Sequence, residues 1–391
     1  MKPASLGLFT YSTLPRGSVV HTAYLADALH EAGWNVTVYA LDKDRRGFFR
    51  PLRARLCLVP AGPTPRCTAE LVRQRAAELV SFVEEHRPVH DVFHAEDCLS
   101  ANGLLDLRAK GHPIDVVRTV HHVEAFEDAY LARCQERSIR QATLCLTVSA
   151  AAAKEVWEAF GVRTSPITNG VDFERFRRVD PRRLAVWSRR IDAGAGPVLL
   201  AVGGVEERKN TTRVLRAFAR LRERHPEAKL VIAGGATVLD HGAYRAAFDQ
   251  ELERLPQSTR TAVLEFGVVD DEDVPSLFQL ATTLVFPSLH EGFGLAALEA
   301  LAAGLPVVAS KRAPFTEFLD DSCATLVDPL SEESLLAGIH RALNAPAAML
   351  NEGRRRAASR SWQRVAEMHV AHYDRAQNRS AVDACVRAGA W

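Results

Sequence analysis

An apolar run, a turn with two glycines, an Ala/Leu-rich stretch and a second apolar run follow one another within Thr283–Ser310. The first run has the length of a strand, and the Ala/Leu stretch ends at Gly304, directly before Pro306 leads into the second run. This order predicts a βαβ unit with two parallel strands. A helix that begins after Gly292 and Gly294 presents unpaired backbone N–H groups and the positive end of its dipole, so an anion is expected there.

Two carboxylates flank the expected anion. Glu291 lies just before the predicted helix, and Glu299 lies inside it. A carboxylate in an otherwise Ala/Leu helix is costly to bury without a partner, which favours a functional role for Glu299. Charged acceptors on both sides of a phosphate suit a diphosphate-linked sugar, whose hexose and ribose hydroxyls both need acceptors. The alternative is an ordinary buried βαβ unit with a glutamate at its helix start.

The motif Glu291-Gly-Phe-Gly-Leu, continued by Glu299 and Gly304-Leu-Pro-Val-Val-Ala-Ser, resembles the donor-site signature of retaining GT-B glycosyltransferases of family four, the glycosyltransferase group 1 type. It departs from that pattern at Ala296, where the family often has proline. The resemblance implies an α/β fold with two Rossmann-like, doubly wound domains that face each other across a cleft. It also implies a C-terminal helix that crosses back to the first domain.

The same resemblance implies the chemistry and the residues that perform it. A sugar moves from a nucleoside diphosphate to an acceptor by front-face attack, with no metal and no cofactor besides the nucleotide-sugar co-substrate. Glu291 holds hydroxyls of the transferred sugar, and Glu299 holds the ribose. The phosphates contact Lys209 and the backbone of the glycine turn, formed by Gly292, Phe293, Gly294 and Leu295.

A second motif follows the apolar strand Val198–Val202. The strand ends in Gly203-Gly204, and the adjacent cations Arg208 and Lys209 come soon afterwards. The family usually has Gly-Arg where this chain has Gly203-Gly204, and its phosphate-binding lysine matches Lys209. Because that arginine is absent here, we assign Arg208 as the helper of Lys209. The alternative is a solvated Arg-Lys pair, but adjacent cations at a helix start oppose the helix dipole unless an anion is present.

Two positions in the first half resemble the family's N-terminal elements. Val116–His121 reads as a strand that ends in a histidine, and the resemblance places His121 beside the transferred sugar. The alternative for His121 is a polar cap on a strand end. Gly17 stands in the turn after the first strand and resembles the family's N-terminal glycine loop. This turn lacks Gly-x-Gly-x-x-Gly, which weighs against a dinucleotide-dependent dehydrogenase.

Three further positions resemble family features of lower specificity. Val268 follows a strand where family members hold the nucleotide base through backbone groups. Glu317 is a further donor-site candidate with an equally weighted structural interpretation. Asn169–Asp172 resembles the domain-boundary motif of the family and also fits a plain Asn-Gly turn.

Strands and helices alternate along both halves of the chain, which predicts two parallel sheets covered on both faces. The pattern lapses in a charged segment, so we predict a first domain over 1–174, a linker over 175–196 and a donor domain over 197–360. Residues 361–391 are assigned to the crossover helix and a tail.

Composition excludes several classes of function. The 391 residues carry a net charge of +1, which argues against general nucleic-acid binding. The seven cysteines show no Cys-x-x-Cys pair and fit reduced thiols in a cytoplasm. No signal peptide is readable, and no apolar run approaches the roughly 20 residues that span a bilayer.

The segment Arg45–Arg55 places five arginines around two phenylalanines. Cations beside aromatic rings suit an anionic lipid headgroup or a phosphorylated acceptor, which would place the protein at the inner face of a membrane. The alternative is a solvated loop whose phenylalanines pack into the domain. The acceptor itself is left open between a small molecule, a glycan and a lipid.

The sequence therefore predicts a retaining glycosyltransferase. A nucleotide-sugar epimerase or a phosphorylase on the same fold is one alternative, although no lysine signature for a pyridoxal cofactor is present. A non-catalytic nucleotide-sugar-binding protein is another. Such a protein would be expected to lose Glu291, Glu299 or Lys209, and the chain keeps all three.

Overall fold

The computed structural model describes residues 4–43, 45–65, 67–235 and 242–387. Contacts divide the chain into two units. Unit 1 contains the residues up to Asn169 together with those from Trp362 onward, and unit 2 contains Gly170–Ser361.

Unit 1 is built on a sheet of seven strands that all pair in parallel, in the order β3-β2-β1-β4-β5-β6-β7. Such an order starts at the centre and proceeds first to one edge and then to the other, so the direction of winding changes between β1 and β4. The strands are β1 (Ser5–Thr10), β2 (Asn35–Asp42), β3 (Arg55–Pro60), β4 (Val92–Ala95), β5 (Val116–Val120), β6 (Leu144–Thr147) and β7 (Ser165–Pro166).

The helices of unit 1 that precede its last segment connect these strands. They are α1 (Gly17–Glu31), α2 (Thr68–His86), α3 (Cys98–Ala109), α4 (Ala129–Arg140) and α5 (Ala150–Phe160). The sequence analysis misses α3, because most of this helix is buried and its apolar residues show no single stripe. A Cβ at Gly103 would lie 2.9 Å from Leu79 Cδ2, so this glycine permits the close packing of α3 on α2.

Unit 2 repeats the same winding with six parallel strands in the order β10-β9-β8-β11-β12-β13. Here the direction of winding changes between β8 and β11. The strands are β8 (Val198–Val202), β9 (Lys229–Ala233), β10 (Val263–Gly267), β11 (Thr283–Phe286), β12 (Val307–Ser310) and β13 (Thr325–Val327).

Helices α6 to α14 belong to unit 2. They are α6 (Phe173–Arg177), α7 (Pro181–Ile191), α8 (Thr211–Arg222), α9 (Gly242–Arg254), α10 (Gln257–Arg260), α11 (Val274–Leu280), α12 (Leu295–Ala303), α13 (Glu332–Leu343) and α14 (Ala347–Ala358). The βαβ unit predicted around the glycine turn is formed by β11, α12 and β12, with β11 and β12 paired in parallel.

The segment 175–196, expected to be a linker, contains most of α6 and all of α7 and belongs to unit 2. Asp180 caps α7 by accepting a hydrogen bond from Arg182 N at 2.8 Å. Trp187 is buried and meets Phe266 edge to face at 4.9 Å. The many arginines of this segment make its sequence look like a charged linker, although α7 has a narrow apolar face that includes the buried Trp187 and Ile191. For this reason the sequence pattern did not predict the helix.

The last helix, α15 (Trp362–Arg387), packs within unit 1. The Trp362 ring stacks on Tyr24 of α1 at 5.3 Å, and the Tyr373 hydroxyl lies 2.7 Å from His94 Nδ1 of β4. Within the described ranges, no helix has both the length and the apolar character needed to cross a bilayer.

Candidate functional site

The loop after β8 carries Lys209 close against a glycine. Gly203 has a φ of +121°, a conformation that side-chain-bearing residues rarely adopt. A Cβ at Gly203 would lie 2.9 Å from Lys209 Cε, so the lysine stem occupies the space that a side chain would fill. Gly204 is buried, and its carbonyl accepts a hydrogen bond from Thr211 Oγ1 at 3.3 Å. The two glycines thus set the path of the loop and make room for Lys209.

Hydrogen bonds fasten this loop to the one that follows β11. Asn210 has a φ of +61° and donates from Nδ2 to Pro287 O at 3.1 Å and to Pro329 O at 2.6 Å. Leu289 N donates to Arg208 O at 2.7 Å. Because β8 and β11 are neighbouring strands, their following loops meet, and these bonds hold Arg208 and Lys209 beside the glycine turn.

An ion-pair cluster results. Lys209 Nζ lies 2.5 Å from Glu291 Oε1, and Arg208 Nη1 lies 3.3 Å from the same oxygen. Arg208 Nε also lies 2.9 Å from Oε2 of Glu206, a residue whose side chain is only 1% exposed. Glu206 is absent from the predicted site residues, although a carboxylate two positions after Gly204 and close to two cations in the sequence is a usable signal.

The environment sets the charge of this cluster. Burial alone would raise the pKa of Glu291, but the charges of Lys209 and Arg208 outweigh it and hold that pKa below its usual range. Burial lowers the pKa of Lys209, and the nearby Glu291 opposes that shift. Glu291 is therefore an ionised carboxylate at neutral pH, and its partner lysine is held in a largely dry site.

The start of α12 depends on Gly294. This residue has a φ of +100° and provides no side-chain cap for the first backbone N–H groups of the helix. Phe293 is buried and stacks on Phe318 at 4.8 Å between ring centres. The glycine turn from Gly292 to Leu295 thus leads into the N-terminus of α12, a helix of 9 residues. The unpaired backbone amides and the dipole at this N-terminus favour an anion.

We predict that Gly294→Ala destabilises the protein by about 1 to 3 kcal/mol. Its φ is unfavourable for alanine, and a Cβ there would lie 2.6 Å from Phe315 Cε1. Gly17→Ala is the matched control, because Gly17 does not have positive φ and no atom lies within 4 Å of the added Cβ. Its stability should stay within about 0.5 kcal/mol of wild type in urea unfolding. Equal stability of the two variants would refute the strain at Gly294.

Glu299 lies half-buried in the second turn of α12. Burial raises its pKa to about 7, the positive Arg175 opposes the shift and Asp271 adds to it. Arg175 itself is paired with Asp271 at 3.0 Å. Among the residues that the structure describes, none forms a hydrogen bond or an ion pair with the Glu299 carboxylate.

Two other predicted donor-site residues lie at the surface of unit 2. Val268 follows β10 and is 54% exposed. Glu317 is exposed on the short turn Phe315–Glu317, whose Phe315 packs against Gly294. The ion pairs that Lys209 and Arg208 form with Glu291 and Glu206 include neither side chain.

The predicted residues of unit 1 lie at the same edge of their own sheet. Gly17 is exposed at the start of α1, and His121 directly follows β5. His121 Nε2 lies 3.0 Å from Oε2 of the buried Glu96, and His21 Nε2 lies 3.6 Å from that oxygen. Sequence pattern did not indicate His21 or Glu96, because His21 lies in α1 and Glu96 follows β4. These elements are far apart in the sequence and close together in the fold.

These three side chains also form a group that could hold a metal ion. One ligand atom from each of His21, Glu96 and His121 lies within 4.8 Å of the other two. The group is the one such cluster found within the described residues.

Comparisons with known proteins bear on both units. A model of the family described as Glycosyltransferase Family 4 matches residues 15–175, and one described as Glycosyl transferases group 1 matches residues 189–361. The MMP alpha-(1->4)-mannosyltransferase of Mycolicibacterium hassiacum is 32% identical over 323 residues, which cover 73% of this chain and 71% of that protein. A glycogen synthase of Mycobacterium tuberculosis is 32% identical over 301 residues, 71% of this chain and 66% of that protein.

Solved structures agree on the fold. Sucrose-phosphate synthase from Thermosynechococcus elongatus superposes with a TM-score of 0.78 at 21% identity, covering 95% of this chain and 98% of that one. The Anabaena protein HepE in complex with UDP-glucose gives a TM-score of 0.75 at 17% identity, with 95% and 99% covered. Together with the family matches on both units, these likenesses establish the GT-B fold, and the chain belongs to the group 1 glycosyltransferases.

Proposed function

We propose that this glycosyltransferase moves a sugar from a nucleoside-diphosphate sugar to an acceptor hydroxyl, with retention of anomeric configuration and without a metal ion. The observation that carries the proposal is the placement of Lys209 and Arg208 beside Glu291, next to the glycine turn that starts α12. Cations, open helix amides and a carboxylate are the three kinds of group that a diphosphate-linked sugar needs.

In the proposed reaction, the bond between the anomeric carbon and the β-phosphate oxygen breaks, and the electron pair stays on the phosphate. The acceptor oxygen forms a bond to the same face of the anomeric carbon. The acceptor proton passes to the departing phosphate oxygen. Negative charge therefore grows on the diphosphate in the transition state, where preorganised cations and N–H donors are most effective.

Lys209, Arg208 and the α12 N-terminus supply the positive charge that a divalent cation supplies in other phosphate sites. Because these groups can balance the charge of the diphosphate, they support transfer without a metal ion. An assay in EDTA and an assay in added Mg²⁺ should give the same rate within about twofold. A rate that depends on added metal would refute this part of the proposal.

The ion pair between Lys209 and Glu291 affects how a donor can bind. Glu291 already occupies Lys209, so a bound diphosphate must take over the lysine from the carboxylate. Glu291 is then free to accept hydrogen bonds from hydroxyls of the sugar. We infer that donor binding exchanges one buried charge pair for two substrate contacts. His121 is proposed to contact the same sugar.

The relatives suggest which donors to test first. One of them, a GDP-mannose-dependent alpha-(1-6)-phosphatidylinositol dimannoside mannosyltransferase of Mycobacterium tuberculosis, is 30% identical over 224 residues. Together with the mannosyltransferase of M. hassiacum and the UDP-glucose complex of HepE, it makes GDP-mannose and UDP-glucose the first donors of a panel.

The deciding experiment is calorimetric binding of that panel, followed by mass spectrometry of acceptor mixtures incubated with the donor that binds. We expect one donor to bind and an acceptor product to gain one hexose. Conversion of the donor sugar without acceptor would indicate an epimerase instead. Tight donor binding with neither product would indicate a nucleotide-sugar-binding protein.

The arginine-rich segment is a separate part of the proposal, in which it contacts a lipid acceptor at the cytoplasmic face of a membrane. Two of its five arginines form ion pairs with residues of α1. Arg50 pairs with Asp27 at 2.9 Å and lies over the Tyr24 ring, and Arg53 pairs with Glu31. These two arginines therefore hold the segment on α1. Arg45, Arg46 and Arg55 are exposed and are the ones that remain for an anionic surface.

We predict that Arg45→Ser, Arg46→Ser and Arg55→Ser together lower binding to anionic vesicles by about two orders of magnitude in low salt. The estimate takes roughly 1 kcal/mol per arginine near the surface. Co-sedimentation with anionic and with neutral vesicles measures it. Equal recovery of wild type and triple variant in the supernatant would remove the membrane from the proposal and favour a soluble acceptor.

A further inference from the structure

A buried carboxylate stands behind His121. Glu96, in the loop that follows β4, is wholly buried, whereas 14% of the His121 side chain is exposed. The 3.0 Å separation between His121 Nε2 and Glu96 Oε2 is that of an N–H···O hydrogen bond. One ring nitrogen of His121, Nε2, therefore has its hydrogen-bond partner in the interior of unit 1.

Two further histidines pack beside Glu96, beyond hydrogen-bond distance. His21 Nε2 lies 3.6 Å from Oε2, the oxygen that contacts His121, and His94 Nε2 lies 3.6 Å from Oε1. His21 Nδ1 lies 2.9 Å from Asn169 Oδ1. Asn169 is 3% exposed and belongs to the Asn-Gly motif that the sequence analysis linked to the domain boundary. The Trp362 ring of α15 meets His21 edge to face at 5.3 Å. This packing leaves the carboxylate little room to turn.

The charges around Glu96 favour a hydrogen bond over a metal ion. The 3.0 Å contact between His121 Nε2 and a buried carboxylate oxygen is the geometry of a ring N–H donor. Burial raises the pKa of the Glu96 carboxyl, and the buried Arg118 is a cation close enough to lower that pKa against the effect of burial. With this cation already near the carboxylate, a divalent ion would add buried positive charge, whereas an N–H donor adds none.

We propose that Glu96 is a positioning residue that holds the proton of His121 on Nε2. This arrangement leaves Nδ1 of His121 as a hydrogen-bond acceptor. The proposal rests on the proposed function, because the partner it assigns to Nδ1 is a hydroxyl of the transferred sugar. It also gives Asn169 a physical role, since its contact with His21 Nδ1 at 2.9 Å orients the ring that packs beside the same carboxylate.

Kinetics of three variants test the proposal. Glu96→Gln should lower kcat/KM for the nucleotide sugar about 10- to 100-fold, while the affinity for the sugar-free nucleoside diphosphate stays within about twofold. His121→Ala should show a loss of similar size. The double variant should be no worse than His121→Ala, because Glu96 acts only through His121. Additive losses in the double variant would overturn the proposal.

The neighbouring pair His122 and Glu124 provides a matched control. Their side chains lie 2.7 Å apart but are 42% and 32% exposed. Glu124→Gln should leave kcat/KM unchanged within about twofold. A loss equal to that of Glu96→Gln would show that any nearby carboxylate has the same effect and would overturn the specific role of Glu96.

Nitrogen NMR of ¹⁵N-histidine-labelled wild-type protein tests the contact without any variant that must fold. His121, identified by its loss in His121→Ala, should carry its proton on Nε2, and its tautomer ratio should shift in Glu96→Gln. A proton on Nδ1 in the wild type would overturn the proposal. One equivalent of bound metal in the purified protein would also overturn it, because Nε2 would then be a metal ligand.

The proposed function and the positioning role of Glu96 can be refuted by different results. If wild type neither binds a nucleotide sugar nor transfers one, the proposed function fails, and the tautomer measurement still decides whether Glu96 holds His121. If transfer occurs and Glu96→Gln behaves as wild type, the positioning role fails while the proposed function stands.

Discussion

Lys209→Ala lowers turnover by about 10² to 10³, the size expected for removal of one preorganised donor to a developing oxyanion. In the proposed reaction, negative charge grows on the departing diphosphate beside the Lys209 ammonium group. The fold should survive the change, because Arg208 Nη1 remains 3.3 Å from the Glu291 carboxylate that the lysine leaves behind. Steady-state kinetics with saturating donor, paired with calorimetry of donor binding, measure the effect on kcat and on affinity separately.

Arg220→Ala is the matched control for this variant. Arg220 lies on α8 and pairs with Glu333 at 3.3 Å, with side chains 45% and 79% exposed. Turnover should be unchanged, since exposed pairs contribute little. Wild-type turnover in Lys209→Ala, or a loss confined to donor affinity, would contradict the role of Lys209 in the transition state.

We propose that Glu299 accepts a hydrogen bond from the ribose of the donor. Glu299→Gln should then weaken donor binding by about tenfold to a hundredfold, because a hydrogen bond to a charged group contributes roughly 1.5 to 3 kcal/mol. The wild-type affinity should also depend on pH. With a pKa near 7, Glu299 becomes charged as the pH rises through neutrality, so the affinity for the donor rises from pH 6 to pH 8. The Gln variant lacks this group and should lose that part of the rise, whereas titration of the diphosphate affects both proteins equally.

The same pKa predicts an opposite effect on stability without ligand. A carboxyl whose folded pKa lies above its ordinary 4.5 contributes stability that is lost as the pH rises toward 7. Relative to Glu299→Gln, wild type should therefore lose about 1 kcal/mol of unfolding free energy between pH 6 and pH 8. A variant that unfolds early at all pH values and binds donor normally would make Glu299 a structural residue.

Much of the fold could be predicted because its elements have clear local signals. The sequence pattern predicts helices over Thr68–His86, Ala150–Phe160 and Val274–Leu280 and a strand over Val198–Val202, and the structure has the same boundaries. These elements have a single apolar face or a continuous apolar run bounded by polar residues. The helix Cys98–Ala109 has an N-cap, because Asp97 Oδ1 accepts a hydrogen bond from Ser100 N at 2.7 Å, but it shows no apolar stripe since it is buried over most of its surface, and local pattern therefore missed it.

The sequence indicated several of the residues that the structure brings together at the candidate site, but it did not indicate which of them contact each other. The sequence analysis assigned Glu291 to sugar hydroxyls and Lys209 to phosphate, and the structure joins the two directly although 82 positions separate them. Their contact follows from the adjacency of β8 and β11, which is a property of strand order. The same limitation hid Glu96, whose partners His21 and His121 come from other elements of the sheet edge.

The central claim is retaining transfer from a nucleotide sugar, and the anomeric configuration of the product tests it most directly. The donor and acceptor found by the binding and mass-spectrometric screen would be incubated at preparative scale, and the one-bond carbon–proton coupling at the new anomeric centre would be measured by NMR. We predict an α-linked product from an α-linked donor. A β-linked product from that donor would contradict the proposed front-face mechanism.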